Sequence, residues 1–509
     1  MSIKSLYNNF VTGNGTTGIV PCVAHLYTCN ITHHCAGCTP IHRRCFSNSI
    51  QHYVQPCTHT SIPKKLITMK MAKYILPLFI TCISFTKIQA QERLLTLEEA
   101  IATVLQNNYD IQLAKNDSVI AALDYKYRNT VFYPTLNGVA GTTWNNNNQR
   151  QILADNSKRE QNGIRSHNWN ASLAFSWTLF DGLKMFATRE KANELVVAGS
   201  YVIKEQMVNT IAQVVNTYYN IVRQKQQIIA TNEQIALNDE RVKLAQYKLD
   251  IGTGAKPDVL QSKVDLNAQK AIKLEQETLV VQLKEQLTQL MNVQSTTPFQ
   301  VADSIPLNTE IGLGTIQEGV ETTNPTLLLL QRNIRISEFE LKERKADLYP
   351  DLSFNANYLF NRTENQTVIN PFSPLFNQSN GFNYGVNLVV PIFNRFATKR
   401  LIKQTEIDIR NRQLLFQNQR SQISLAVIIA YRSYELQKKA LSLEEENILL
   451  ARENVDIVFQ TYKLGAATLV QLREAQNSLE MANNRLIAAR YALKLSETEL
   501  LRLKGEIIK

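Results

Sequence analysis

Beyond Cys82 the chain has no cysteine, and beyond His59 it has a single histidine, His167. The body of the chain therefore carries no disulfide framework, which fits an exported protein that does not rely on one. With one histidine in an asparagine-rich stretch, histidine-based catalysis has no footing. No P-loop, His-Glu-x-x-His or nucleophile elbow occurs either, so the sequence points to no enzyme, no cofactor and no metal. Proline is missing between Pro134 and Pro257 and again after Pro391, and glycine is missing between Gly199 and Gly252. Nothing in those stretches breaks a helix. No run of eighteen apolar residues follows residue 90, so any membrane crossing there is made by strands. Acidic residues are absent before Glu92, and eight of the 55 Lys and Arg residues lie in residues 1–90. That leaves 47 basic against 44 acidic residues, a net charge of +3 in place of +11, and removes the case for nucleic acid as a partner.

The break in composition has a local cause. Met69-Lys70-Met71-Ala72-Lys73 is a short basic segment, Tyr74 to Phe85 is apolar, and Ile88-Gln89-Ala90 ends on a small residue. This is the order of a secretory signal peptide, here residues 69–90 with cleavage after Ala90. The apolar run is short for a membrane span and contains Pro77. Cys82 lies inside it, behind Phe79-Ile80-Thr81, and so lacks the small residues of a lipid-attachment site. Cys29, Cys35, Cys38 and Cys45 with His33, His34 and His42 suggest a zinc knuckle, but only Cys35-x-x-Cys38 has ligand spacing. Residues 1–68 are read as an extension of the reading frame that is not part of the mature protein, with translation starting at Met69 or Met71.

The rest of the chain is written twice, as residues 91–305 and 306–509. Asn108-Tyr109 and Asn324-Pro325 each open a helical stretch that ends at Tyr133-Pro134-Thr135-Leu136 and Tyr349-Pro350-Asp351-Leu352, an offset of 216. Trp177-Thr178-Leu179-Phe180-Asp181-Gly182 matches Val390-Pro391-Ile392-Phe393-Asn394-Arg395 at offset 213. Tyr247-Lys248-Leu249 matches Tyr462-Lys463-Leu464 at 215, and Gly254-Ala255 matches Gly465-Ala466 at 211, as if the first copy carried four extra residues. Units this long are not those of a solenoid.

Each copy changes period twice. Leu97 to Tyr127 reads as one helix, with Thr96 as N-cap and Glu98 and Glu99 in the first turn; the residue before a proline avoids the α region, so Tyr-Pro stops it. Period-two patterning follows in strand pairs at 134–180 and 350–394. Trp169, Ala171, Leu173, Phe175, Trp177 and Leu179 alternate with polar residues, as do Phe354, Tyr358, Phe360 and then Phe382, Tyr384, Val386, Leu388. The strand near Leu136 to Trp144 is weaker. Asparagine-rich loops are expected at 145–166 and 362–380. The aromatics Trp144, Trp169, Trp177, Phe382 and Tyr384 suit belts at membrane interfaces, although a soluble hairpin with one buried face has the same alternation. Long helices then run from Leu183 to Asp250 and from Thr398 to Leu464. Each turns at glycine and returns, over Asp258 to Met291 and Leu469 to Lys504, giving helical hairpins at 183–295 and 398–504. The stripe Ile228, Ile235, Val242, Leu249 is coiled-coil-like.

The order of these elements resembles the TolC family of outer-membrane efflux and secretion channels. The resemblance rests on the duplication, Leu95-Thr96-Leu97-Glu98-Glu99-Ala100, both Tyr-Pro-x-Leu elements, Trp177 to Gly182 with Val390-Pro391-Ile392-Phe393, and Tyr462 to Ala466 with Leu472-Arg473-Glu474-Ala475-Gln476. It covers residues 92–505. It implies a mainly α protein with membrane β-structure. Long antiparallel hairpins form an α-barrel, and four strands per chain contribute to a trimeric twelve-stranded β-barrel. It further implies a homotrimer in the outer membrane of a Gram-negative bacterium, reaching through the periplasm to an adaptor protein and an inner-membrane transporter. The turns Leu249, Gly252, Gly254, Ala255 and Leu464, Gly465, Ala466 would then form an adaptor-docking tip. Plain helix termination by glycine explains the same residues. Asp258 and Glu474 would ring a pore constriction, or simply favour a helix N-terminus. A periplasmic coiled-coil scaffold is the alternative function; it accounts for the helices but not for two repeated amphipathic strand pairs.

Overall fold

The computed structural model describes residues 93–294, 299–370 and 372–507; the expected reading-frame extension, signal peptide and cysteine-histidine cluster lie outside them. Helices α1 (Leu97–Asn107) and α2 (Tyr109–Lys126) lead through a short 3-10 turn (Arg128–Phe132) to strands β2 (Thr135–Ile152) and β3 (Lys158–Asp181). The hairpin α3 (Lys184–Asp250) and α4 (Lys256–Met291) follows. The second copy repeats the order as α5 (Leu313–Thr323), α6 (Pro325–Ala346), β5 (Asp351–Asn365), β6 (Phe376–Val389), α7 (Ala397–Lys463) and α8 (Leu469–Lys504). Two-residue strands β1 (Arg93–Leu94) and β4 (Phe299–Gln300) pair in parallel. Tyr218 fixes that pair to α3: its hydroxyl donates to Leu95 O at 2.9 Å and accepts from Ala302 N at 3.2 Å.

The structure revises the internal alignment. α3 and α7 are both 67 residues long and α4 and α8 both 36, and all four start and end at one constant offset of 213. The first copy therefore has no four-residue excess at its hairpin turn. Tyr462 stands opposite Leu249, not Tyr247, and the environments agree: Tyr247 is exposed while Tyr462 is buried. The change from 216 to 213 occurs within the strand pair.

The helix expected from Leu97 to Tyr127 is two helices. Asn108 breaks it with an extended backbone, and its side chain accepts from Asp110 N and Ile111 N to cap α2. Its amide also donates to Leu290 O near the end of α4 at 3.0 Å. Asn324 repeats both roles, capping α6 at Leu327 N and donating to Leu503 O at 2.8 Å. Each asparagine thus joins the start of its copy to the end of that copy's hairpin. At the exit from each strand pair the chain turns through two left-handed residues, Gly182-Leu183 and Arg395-Phe396. Glycine is required only at the first, where an added Cβ would lie 2.4 Å from Ala346 O.

The four long strands form one antiparallel sheet in the order β2-β3-β5-β6. The two copies meet at β3–β5. Asparagine-rich 145–166 is not a loop: β2 continues to Ile152, the turn is confined to 153–157, and β3 begins at Lys158. His167 accordingly lies within a strand. Likewise β5 runs to Asn365 and β6 starts at Phe376, so the second loop is shorter than 362–380. Asparagine is a poor strand former in isolation, but here cross-strand pairing decides. Leu179 does not continue the outward alternation. The register slips between Thr178 and Phe180, and this bulge puts Phe180 opposite Leu352, in the place that strict alternation gave to Leu179.

The long helix α3 has two kinds of seam. Its first half buries Met207, Ile211, Val214, Val215, Tyr218 and Val222. Its second half buries Thr231, Gln234, Asn238, Arg241 and Ala245, while Ile235 and Val242 are only half-buried. The heptad continues, but the seam turns polar.

Candidate conduit wall and docking tip

Directly opposed residues in a sheet point to the same side, so the register sorts every strand residue onto one of two faces. One face carries Leu136, Leu173, Phe175, Trp177 with Phe354, Tyr358, Phe360 and Phe382, Tyr384, Val386. The other carries Asn137, Asn170, Ser172, Asn355, Asn357, Asn361, Asn383 and Asn387. Among the described residues neither face is covered by another element: Leu136, Phe382, Tyr384, Val386 and Leu388 are all exposed. A continuous exposed apolar band across four strands needs an apolar medium.

The aromatics fall at definite heights on that band. Trp144 and Trp169 belong to its upper end. Trp144 stacks on His167 with centroids 4.7 Å apart, and the Trp169 indole donates to His167 Nδ1 at 3.1 Å. Thr142 completes this cluster at His167 Nε2, 2.7 Å away. Trp177 marks the lower end, its indole donating to Phe132 O at 2.9 Å. Eight residues separate Trp169 from Trp177 along β3, ~26 Å of strand at ~3.3 Å per residue, against an apolar band of ~25 Å in outer-membrane barrels. Phe382 and Tyr384, stacked on one another, fall between the two levels.

At the far end, both hairpins turn in the same way. Gly252 and Gly465 hold left-handed φ angles of 78° and 80°, the conformation that ends helices at glycine. In the first turn Gly252 N bonds Leu249 O, and Thr253 N and Gly254 N bond Lys248 O. A Cβ at Gly254 would meet Leu249 N at 2.9 Å. In the second, Ala466 N and Ala467 N bond Thr461 O, and Thr468 caps α8 through a reciprocal bond with Gln471. Ala255 is the N-cap of α4, which starts two residues before Asp258 because Pro257 is tolerated in a first helical turn. Leu464 is 85% exposed at the extremity.

The two turns lie side by side. Lys248 of α3 donates to Tyr462 O at 2.6 Å and stands 3.8 Å from the centre of its ring. Phe459, Tyr462 and Leu472 form a small core with Leu244 and Ala467. Burial pushes the Tyr462 hydroxyl up in pKa, and the carboxylate of Asp258 adds to that. Asp258 and Glu474 do not occupy matching positions. Asp258 is the third residue of α4, whose counterpart in α8 is Gln471; Glu474 lies almost a turn further on and is exposed. Just behind the tip is a group that the sequence did not single out. Arg241 Nη2 bonds Asp265 Oδ2 of α4 at 2.5 Å and Nη1 bonds Gln476 Oε1 of α8 at 2.8 Å. Its only mark in the sequence is a basic residue beside the apolar stripe position Val242.

A sequence profile described as "Outer membrane efflux protein" matches residues 100–293 and 320–506. The chain belongs to the outer membrane efflux protein family. The Outer membrane efflux protein BepC of Brucella suis biovar 1 (strain 1330) is 20% identical over 272 residues, 52% of this chain and 56% of that relative. The match therefore spans little more than half the length of the curated relative. The fold is shared along a greater length. The outer membrane protein VceC of Vibrio cholerae superposes with a TM-score of 0.67 at 14% identity, covering 81% of this chain and 97% of that one. The CmeC outer membrane channel of Campylobacter jejuni gives 0.66 at 16%, covering 81% and 86%. The fold is thus that of TolC-like channels, in which helical hairpins build an α-barrel beneath a β-barrel. This family member is an outer-membrane protein of the efflux class.

Proposed function

We propose that this protein is the passive exit duct of a tripartite efflux or type I secretion system. The observation that carries the reading is the sheet. It has an apolar face from the level of Trp177 to that of Leu173, a polar face, and two strands, β2 and β6, with no partner on their outer sides among the described residues. In hydrocarbon each unpaired backbone group costs several kcal/mol, so an open four-stranded sheet is unstable in a bilayer and must close with copies of itself. Three copies give twelve strands, with β6 of one beside β2 of the next. The apolar face meets lipid and the asparagine face lines the bore. Among the described residues no helix is long and apolar enough to cross a membrane, so the hairpins, ~100 Å long at ~1.5 Å per residue, project into the periplasm.

At their ends Leu249, Gly252, Gly254, Ala255 and Leu464, Gly465, Ala466 form the surface that a periplasmic adaptor grips, and the adaptor links the duct to an inner-membrane transporter. Asp258 and Glu474 lie at two levels of the narrowing tip and favour cations there. The polar seam behind it, where the Arg241 bonds stand among small apolar clusters, lets the tip yield while the upper hairpin stays fixed. The duct performs no chemistry; its partner supplies the energy. Expression of the chain from Met69 in a Gram-negative envelope, followed by planar-bilayer recording on the purified outer-membrane oligomer, tests this. A heat-modifiable trimer with discrete conductance is expected. A soluble, non-conducting protein would overturn the reading in favour of a periplasmic scaffold.

A further inference from the structure

The register of the sheet separates charge as well as apolarity. From the row Thr178, Ser353, Asn387 to the row Asn145, Ser166, Asn365, the bore-facing side bears only Asn, Ser, Thr, Gly, Ala, Val and Leu. No ionisable or aromatic side chain interrupts it. Besides Tyr358 and Tyr384, the ionisable residues of this span are His167, Arg362 and Glu364, with Arg165 just above, and the pairings His167 with Trp144 and Arg362 with Trp169 put them on the opposite, lipid-facing side. There Arg362 and Glu364 neutralise each other in an ion pair, at the height where a membrane protein meets headgroups. The first carboxylates on the bore side are Asp181 and Asp351, directly opposite one another at the base of the sheet.

We propose that the barrel wall between these two rows exerts no selection by charge sign, and that it engages polar cargo through amide and hydroxyl hydrogen bonds. The inference rests on the channel reading above. A fixed charge in a narrow pore raises the local concentration of one ion sign and depletes the other; a neutral wall does neither. Amides offer donor and acceptor together, so rows such as Asn137, Asn357, Asn383 receive cationic, anionic and zwitterionic polar solutes alike. Discrimination by charge then begins at the level of Asp181 and Asp351 and belongs to the helical section below it. The cargo class for which this exit is built is one of mixed or variable charge, with polar groups that pair with amides.

Cysteine accessibility tests this on the full chain, with labelling counted above that of the unsubstituted protein. An added Cβ at Gly381 or Gly385, on the bore side of β6, meets nothing within 4 Å, so Gly381→Cys and Gly385→Cys do not crowd the wall; Asn357→Cys probes a central strand. Intact cells are treated with methanethiosulfonates carrying a quaternary ammonium or a sulfonate group. The two rates, each normalised to the reagent's rate with a free thiol, are expected to agree within about threefold. Adding Asn137→Asp and Asn383→Asp to Asn357→Cys is expected to favour the cationic reagent by about tenfold or more. A tenfold bias of either sign without the added aspartates would overturn the neutral wall and leave the channel reading intact. Equal reaction of Tyr384→Cys and Gly385→Cys from water would overturn the assignment of faces, and the channel reading with it.

Discussion

Replacing Arg241 by methionine tests whether the polar seam holds the lower hairpins together. The Arg241 side chain is 2% exposed and that of its partner Asp265 is 23% exposed; the two join α3 to α4, and the bond to Gln476 adds α8. Removing one member of a buried ion pair costs ~3–5 kcal/mol, because the other charge is left without compensation. Asp265 keeps partial access to water, and methionine fills most of the vacated volume, so ~2–3 kcal/mol is the expected loss. The hairpins are long and open locally, so the loss is best read where it falls, by amide hydrogen exchange. Protection in residues 231–276 and 472–483 is expected to drop ~30- to 150-fold, at ~1.4 kcal/mol per decade, while segments near Tyr218 keep theirs. Arg241→Met with Asp265→Leu removes both charges and should recover most of the protection. A change below about threefold, or one shared equally by the upper hairpin, would refute a local clamp at Arg241.

Gly182→Ala forces a Cβ to 2.4 Å from Ala346 O at a positive φ, and is expected to abolish heat-modifiable oligomers on gels; Arg395→Gly at the matching corner should leave them intact. Asn108→Ala loses a helix cap and a partly buried bond to Leu290 O, an expected ~2 kcal/mol in chemical unfolding. Asn108→Asp keeps the cap but not the donor, so it should lose about half as much. Tyr219 is buried and its pKa is raised to about 12, above the ~10 of an unfolded tyrosine. Its folded state favours the neutral phenol, a contribution fully present below pH ~10 and lost as pH rises towards about 12. Thermal melts across that range should fall less steeply in Tyr219→Phe.

The TolC-like architecture was legible in the sequence because its signals are local and periodic. Missing prolines, with Gly199 the single glycine in the two, allow the 67-residue helices, alternation marks the strands, and the repeated Tyr-Pro elements mark the copies. The hairpin turns were legible too, since Gly252 and Gly465 end their helices by a backbone conformation that few other residues adopt. What pattern could not supply was register. Matching Tyr247 to Tyr462 by letter gave an offset of 215, whereas packing places Leu249 there, because a buried ring and an exposed one are different positions whatever their names. Asparagine-rich 145–166 read as loop, since propensity describes a residue alone and a ladder partner outweighs it. Only the pairing of β3 with β5, between copies 216 residues apart in sequence, aligned four amphipathic strands into one apolar face and one polar face. Arg241 is the same lesson inside a helix. Sequence determined that position's place in the heptad, but only its neighbours on α4 and α8 could make a buried cation tolerable there.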